Sequence, residues 1–171
     1  MTAPLLVFGW GNASRGDDAL GPLFVHRLQE RIGARCTGHV EFLEDYQLQV
    51  EHALDLVGRR QVLFIDASVD CVAPFQVSEP QASRDTTFTT HAMSPAAVLQ
   101  VFRDLQGVEP PACTLLAIRG IRFELGEPAG VEALAHLERA LDWGEWWFDE
   151  ACAAERVGGV QARENAAVPA R

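Results

Sequence analysis

The chain has 171 residues, 48% of them hydrophobic, and a formal net charge of −10. That length suits one domain with a self-sufficient core, no apolar run approaches the ~20 residues that cross a bilayer, and the acidic balance opposes nucleic acid and anionic membranes as partners. All fourteen cationic side chains are arginine, which excludes a lysine nucleophile, a lysine Schiff base and a Walker lysine.

Met1 to Pro4 lead directly into an apolar run, with no basic segment and no small-residue cleavage site, so no signal peptide is expected and the cytoplasm is the expected compartment. Leu5-Leu-Val-Phe8 reads as a buried strand ending in the tight loop Gly9-Trp-Gly11-Asn12. Asp17 and Asp18 then supply cap and first-turn carboxylates for a helix, whose face is Leu20, Leu23, Phe24, Arg27 and Leu28, up to about Ile32. Val40 to Glu44 is a second strand. Leu48, Val50, Leu54 and Val57 fall at the spacing of a second helix. Val62-Leu-Phe-Ile65 is continuously apolar, which predicts burial on both faces of a mostly parallel sheet, with Asp66 at its carboxyl end.

Further along, Phe75 to Val77 reads as a short edge strand and Ser78 to Thr90 as a polar loop. Ser94-Pro95 has the cap-then-proline form of a helix start, with Val98, Leu99, Phe102 and Leu105 facing inward. Thr114 to Ile118 is a further core strand. A last helix runs from about Val131 towards Ala154, carrying the aromatic cluster Trp143, Trp146, Trp147 and Phe148. The alternation predicts an α/β fold, a three-layer α/β/α sandwich on a mostly parallel twisted sheet of about five strands. Residues 1–155 form the single domain. Residues 156–171, rich in Ala, Gly and charge, form a tail expected to be disordered and to carry no chemistry. Cys36, Cys71, Cys113 and Cys152 are widely spaced and form no C-x-x-C pair, so they read as free, mostly buried thiols rather than a zinc or redox site.

Ligands of open α/β sheets bind beyond the carboxyl ends of the strands, where the loops Gly9 to Asp18, Asp66 to Ser68 and Thr89 to Ser94 can converge. Gly11-Asn-Ala-Ser-Arg-Gly16 has the glycine spacing of a phosphate loop, but Asp17 and Asp18 stand where that motif needs Lys and Ser or Thr. Ser14 occupies the third glycine position of a dinucleotide fingerprint. An acidic loop suits a divalent first-row metal instead. Taken by residue type alone, Asp17 and Asp18 both read as helix-start acids, Asp66 as a loop cap or a site acid, and His91 as a loop histidine or a ligand. His26, His39 and His136 read as surface residues, and His52 as a candidate support for the cleft. Ser14, Ser68 and Ser94 lack a nucleophile elbow.

Three segments in order carry a family resemblance. Gly9-Trp-Gly-Asn-Ala-Ser-Arg-Gly-Asp-Asp-Ala-Leu-Gly21, Leu63-Phe-Ile-Asp-Ala67 and Thr90-His-Ala-Met-Ser-Pro-Ala-Ala-Val-Leu99 resemble the successive signatures of the nickel-iron hydrogenase maturation endopeptidases. Tyr46 to Asp55 and Ile118 to Pro128 look like the branch serving cytoplasmic, NAD-coupled hydrogenases. Where many relatives have a glycine pair after the second strand, this chain has Asp45-Tyr46-Gln47, and some relatives have Glu at the place of Asp18.

The resemblance implies that Asp18, Asp66 and His91 form the catalytic, metal-reading set. It also implies that the nickel is carried by the hydrogenase large-subunit precursor, the resting enzyme being metal-free. The implied reaction is removal of the precursor's C-terminal extension by a monomeric enzyme. The alternatives are a non-catalytic metal-sensing chaperone for the same precursor and an unrelated small-molecule hydrolase on the same fold.

Overall fold

A computed structural model describes residues 1–84 and 93–166, with side chains through residue 154. Five strands, β1 (Leu5–Trp10), β2 (Val40–Asp45), β3 (Gln61–Ser68), β4 (Phe75–Ser78) and β5 (Ala112–Arg119), form one sheet in the order β2-β1-β3-β5-β4. The first four positions are parallel, and β4 pairs antiparallel with β5 at the edge. The α-helices are α1 (Leu20–Ile32), α2 (Pro95–Gln106) and α3 (Val131–Ala166).

Alternation along the strands divides the core in two. Leu5, Val7, Leu63, Ile65, Leu116 and Ile118 pack against α1 and α3 through Phe24, Leu28, Leu137 and Leu141. Leu6, Phe8, Trp10, Val62 and Phe64 face α2 and the segment around Leu56. Both faces of Val62–Ile65 are therefore buried, which is why the run is apolar without interruption. The three-layer α/β/α sandwich and its five-strand, mostly parallel sheet are as the sequence predicts. Among the described residues no helix is long and apolar enough to cross a membrane. None of the four cysteines is in a disulfide, and Cys71 and Cys113 are buried while the other two are half-buried.

Several local expectations are corrected. The second helix is a short 3-10 turn, Val50–Leu56, which buries His52, Ala53 and Leu56 and leaves Val50, Leu54 and Val57 exposed. Its tighter winding puts residues three apart on one face, which sets Ala53 with Leu56 inward and Leu54 with Val57 outward. Ser94 does cap α2, accepting the Ala97 N–H at 3.1 Å with Pro95 in the first turn, but Leu105, expected to face inward, is 63% exposed. Trp147 and Phe148 are buried in the α3 cluster, whereas Trp146 is 56% exposed. The backbone of α3 is helical to Ala166, past the Arg156 boundary expected for the tail, and side chains from residue 155 onward lie outside the described residues.

Candidate functional site

The site is built where β1, β2 and β3 end together. Gly21, at the start of α1, lies so close to β1 that a Cβ on it would stand 2.2 Å from the Trp10 carbonyl oxygen, and a Cβ on Gly9 would stand 2.5 Å from that of Gly21. Gly11 has φ 145°, and a Cβ there would fall 1.9 Å from the Asp18 carbonyl oxygen. Three glycines thus let the first loop fold tightly back across the end of β1, bringing Asp18 beside Gly11.

Neither Asp17 nor Asp18 caps α1, since both sit in a separate 3-10 turn, Gly16–Ala19, and the helix has no side-chain cap. The two adjacent acids diverge. Asp17 is 1% exposed and accepts the backbone N–H groups of Ile121 (2.7 Å), Arg122 (2.9 Å) and Gly130 (2.7 Å). Burial alone would raise its carboxyl, but those three donors and the Arg122 guanidinium outweigh burial and hold it below its usual value. Asp18 is half-buried, and its Oδ2 accepts the Asn12 N–H at 2.8 Å.

Asp66 lies within β3, opposite Ala117 of β5 and one residue beyond the last β1–β3 pair, Gly9 with Ile65. It shares a sheet face with Phe64 and Val62, the face that also holds Trp10. Burial pushes its carboxyl up to about 7, and the Asp18 charge adds to the rise, against hydrogen bonds from the Ala67 backbone and the Trp10 side chain. Asp18 and Asp66 are therefore electrostatic neighbours. The raised Asp66 carboxyl thus exchanges its proton near neutral pH beside a second acid.

His91 lies outside the described residues. Its nearest described follower, Met93, donates its N–H to the Leu48 carbonyl at 3.1 Å. Among the described residues no three His, Cys, Asp or Glu side chains form a group that could hold a metal. Two serines near the sheet edge have backbone roles: Ser94 caps α2, and Ser68 Oγ accepts the N–H groups of Asp70 and Cys71.

Around the pair lie Asn12, whose side chain sequence reasoning did not single out, and the Asp45, Tyr46 and His52 that it noted. Asn12 Nδ2 donates to the Tyr46 hydroxyl at 2.5 Å, and Asp45 accepts from the Tyr46 N–H at 2.5 Å and from His52 Nε2 at 3.1 Å. His52 is buried against Phe8, ring centroids 4.6 Å apart, and meets the end of β2 through Asp45. The remaining histidines lie elsewhere: His26 pairs with Glu44 at 2.9 Å, and His136 Nδ1 donates to the Arg119 carbonyl at 2.9 Å.

No protein-family model and no curated protein matches the sequence. Solved structures do match its fold. The hydrogenase maturating endopeptidase HybD from Escherichia coli superposes with a TM-score of 0.65 at 24% identity, over 86% of this chain and 93% of that one. The [NiFe] hydrogenase maturation protease HycI from Thermococcus kodakarensis gives 0.63 at 22%, over 83% and 89%. A hydrogenase 2 maturation peptidase from a Thaumarchaeota archaeon gives 0.56 at 20%, over 81% and 93%. The fold of this chain is that of the hydrogenase maturation proteases.

Proposed function

We propose that the protein is an endopeptidase that removes the C-terminal extension of a nickel-loaded [NiFe]-hydrogenase large-subunit precursor. The observation that carries this reading is the Asp18–Asp66 pair at the carboxyl edge of a sheet shared with maturation proteases, its inner member pushed up to about 7. His91 completes the set by resemblance alone. Nickel enters as part of the substrate: two carboxylates favour a divalent cation and would bring only a loaded precursor into register.

A carboxyl with a pKa near the working pH is suited to take a proton from an attacking water and return it to the leaving amine. Asp66 is assigned that role, and Asp18, held by Asn12, the role of fixed anion. Mixing the protein with nickel-loaded and with nickel-free precursor, followed by intact mass, tests the reading. Cleavage confined to the loaded precursor is expected. Equal cleavage of both would remove nickel recognition, and binding without cleavage would make the protein a metal-sensing chaperone.

A further inference from the structure

The loop after β1 and the loop after β2 meet at the site through one side-chain pair, Asn12 with Tyr46. The orientation of the Asn12 amide is set by its neighbours. Its Oδ1 accepts the Ser14 N–H at 2.9 Å, which only an oxygen can do, so Nδ2 is the group turned to the Tyr46 hydroxyl. The backbone N–H of Asn12 meanwhile donates to Asp18 Oδ2 at 2.8 Å. One residue thus ties the acid to the tyrosine.

Tyr46 is itself anchored from below. Its N–H donates to one oxygen of Asp45, and the other oxygen accepts from His52 Nε2. His52 Nδ1 accepts the Gln49 N–H at 2.8 Å, so the ring proton is on Nε2, directed to Asp45. His52, Asp45, Tyr46, Asn12 and Asp18 are thus each hydrogen-bonded to the next, through backbone and side-chain groups in turn. Tyr46 is nevertheless 61% exposed, and its ring belongs to neither core cluster. An exposed side chain with so little packing contributes little to folding, yet its hydroxyl is the cross-loop contact that the Asn12 side chain makes.

We propose that Tyr46 is a positioning residue of the site, its hydroxyl holding Asn12 so that the Asn12 N–H keeps the Asp18 carboxylate in one orientation. The inference rests on the reading of Asp18 as a site residue given under Proposed function. Without the hydroxyl Asn12 loses its side-chain tie to the loop after β2, leaving the Gly11 N–H bond to the Asp45 carbonyl at 3.1 Å, and Asp18 spends less time in the working orientation. That lowers turnover more than substrate binding, because misplacing a catalytic group acts on the chemical step.

Processing of nickel-loaded precursor by wild type, Tyr46→Phe and Asp18→Ala, with thermal melts of each, tests this. Tyr46→Phe keeps the ring, so kcat is expected to fall about tenfold with KM within about twofold and Tm nearly unchanged. Tyr46 is the only tyrosine in the chain. Protein labelled with 3-fluorotyrosine therefore gives one fluorine resonance, expected to shift in Asn12→Ala, where the donor to the hydroxyl is gone. Wild-type kcat in Tyr46→Phe, an unmoved resonance, or a loss of kcat matched by a fall in Tm each overturns the inference. If Asp18→Ala is inactive while Tyr46→Phe is wild type, the inference fails alone. Full activity of Asp18→Ala, or precursor left uncut by wild type, overturns the underlying reading together with it.

Discussion

Two neighbouring acids, Asp17 and Asp18, show how little residue type says about role. Asp17 gathers three backbone donors and Asp18 one, because the 3-10 turn sends successive side chains in different directions. Asp17→Ala should therefore cost about 3 kcal/mol in urea melts, more than a helix cap, since three N–H groups lose a charged acceptor. A loss under about 1 kcal/mol would return Asp17 to the capping role. The lowered Asp17 carboxyl stabilises the fold above its ordinary value of 3.8, and that contribution disappears as pH falls through the still lower folded value. Asp66 has the opposite sign. Its folded value of about 7 lies above 3.8, so between those limits the native state binds more protons than the unfolded chain, and stability falls as pH rises through that window. Asp66→Asn should flatten this slope and raise stability at pH ~8 by on the order of 2–4 kcal/mol, while abolishing processing. Parallel stability curves for the metal-free wild type and variant between pH ~4 and ~8 would remove the assignment of Asp66 as a strained site acid.

Among the elements, β1 and the start of α1 dock through glycines, beside the packing of Leu5 and Val7 on Phe24 and Leu28. Gly21→Ala puts a methyl 2.2 Å from the Trp10 carbonyl oxygen, and backbone cannot move aside as a flexible side chain does. The expected result is loss of soluble folded protein, against only about 1 kcal/mol for Ser94→Ala at the start of α2. Near-normal melting of Gly21→Ala would mean that the strand end and helix are not so tightly docked. How far such features can be read from sequence depends on range. The β3 run and the Ser94 cap were legible because burial on both faces and capping write local signals. Val50–Leu56 was not, since seven residues are too few to tell a 3-10 from an α period. Tyr46 with Asn12, 34 residues apart, and Asp17 with Gly130 leave no periodic trace, because their partners are set by which strands become neighbours. The same holds for Arg27 and Arg31 on α1 and Arg35 in the 3-10 turn Gly33–Cys36 that follows it, which pair with Glu138, Asp142, Glu145 and Asp149 of α3.

For the molecule as a whole, the core contacts of α3 run from Ala133 to Cys152, and the candidate site lies at the carboxyl edge of the sheet. Removing residues 156–171 should leave Tm and processing near wild type. Lost cleavage with the fold preserved would assign that segment to precursor binding. The carboxyl edge is further braced by mutual contacts between the first loop and the segment between β5 and α3. Gly126 donates to Ser14, Gly16 to Glu127 and Asp17 to Arg122, in addition to the three donors held by the Asp17 side chain. Residues 121–130 contain neither helix nor strand, and a stretch of that kind ordinarily trades its amide hydrogens with solvent quickly. Here the amides of Ile121, Arg122, Gly126 and Gly130 should instead exchange deuterium as slowly as those of a helix. They should become fast together in Asp17→Ala, as one cooperative unit whose opening also releases the loop that carries Asp18.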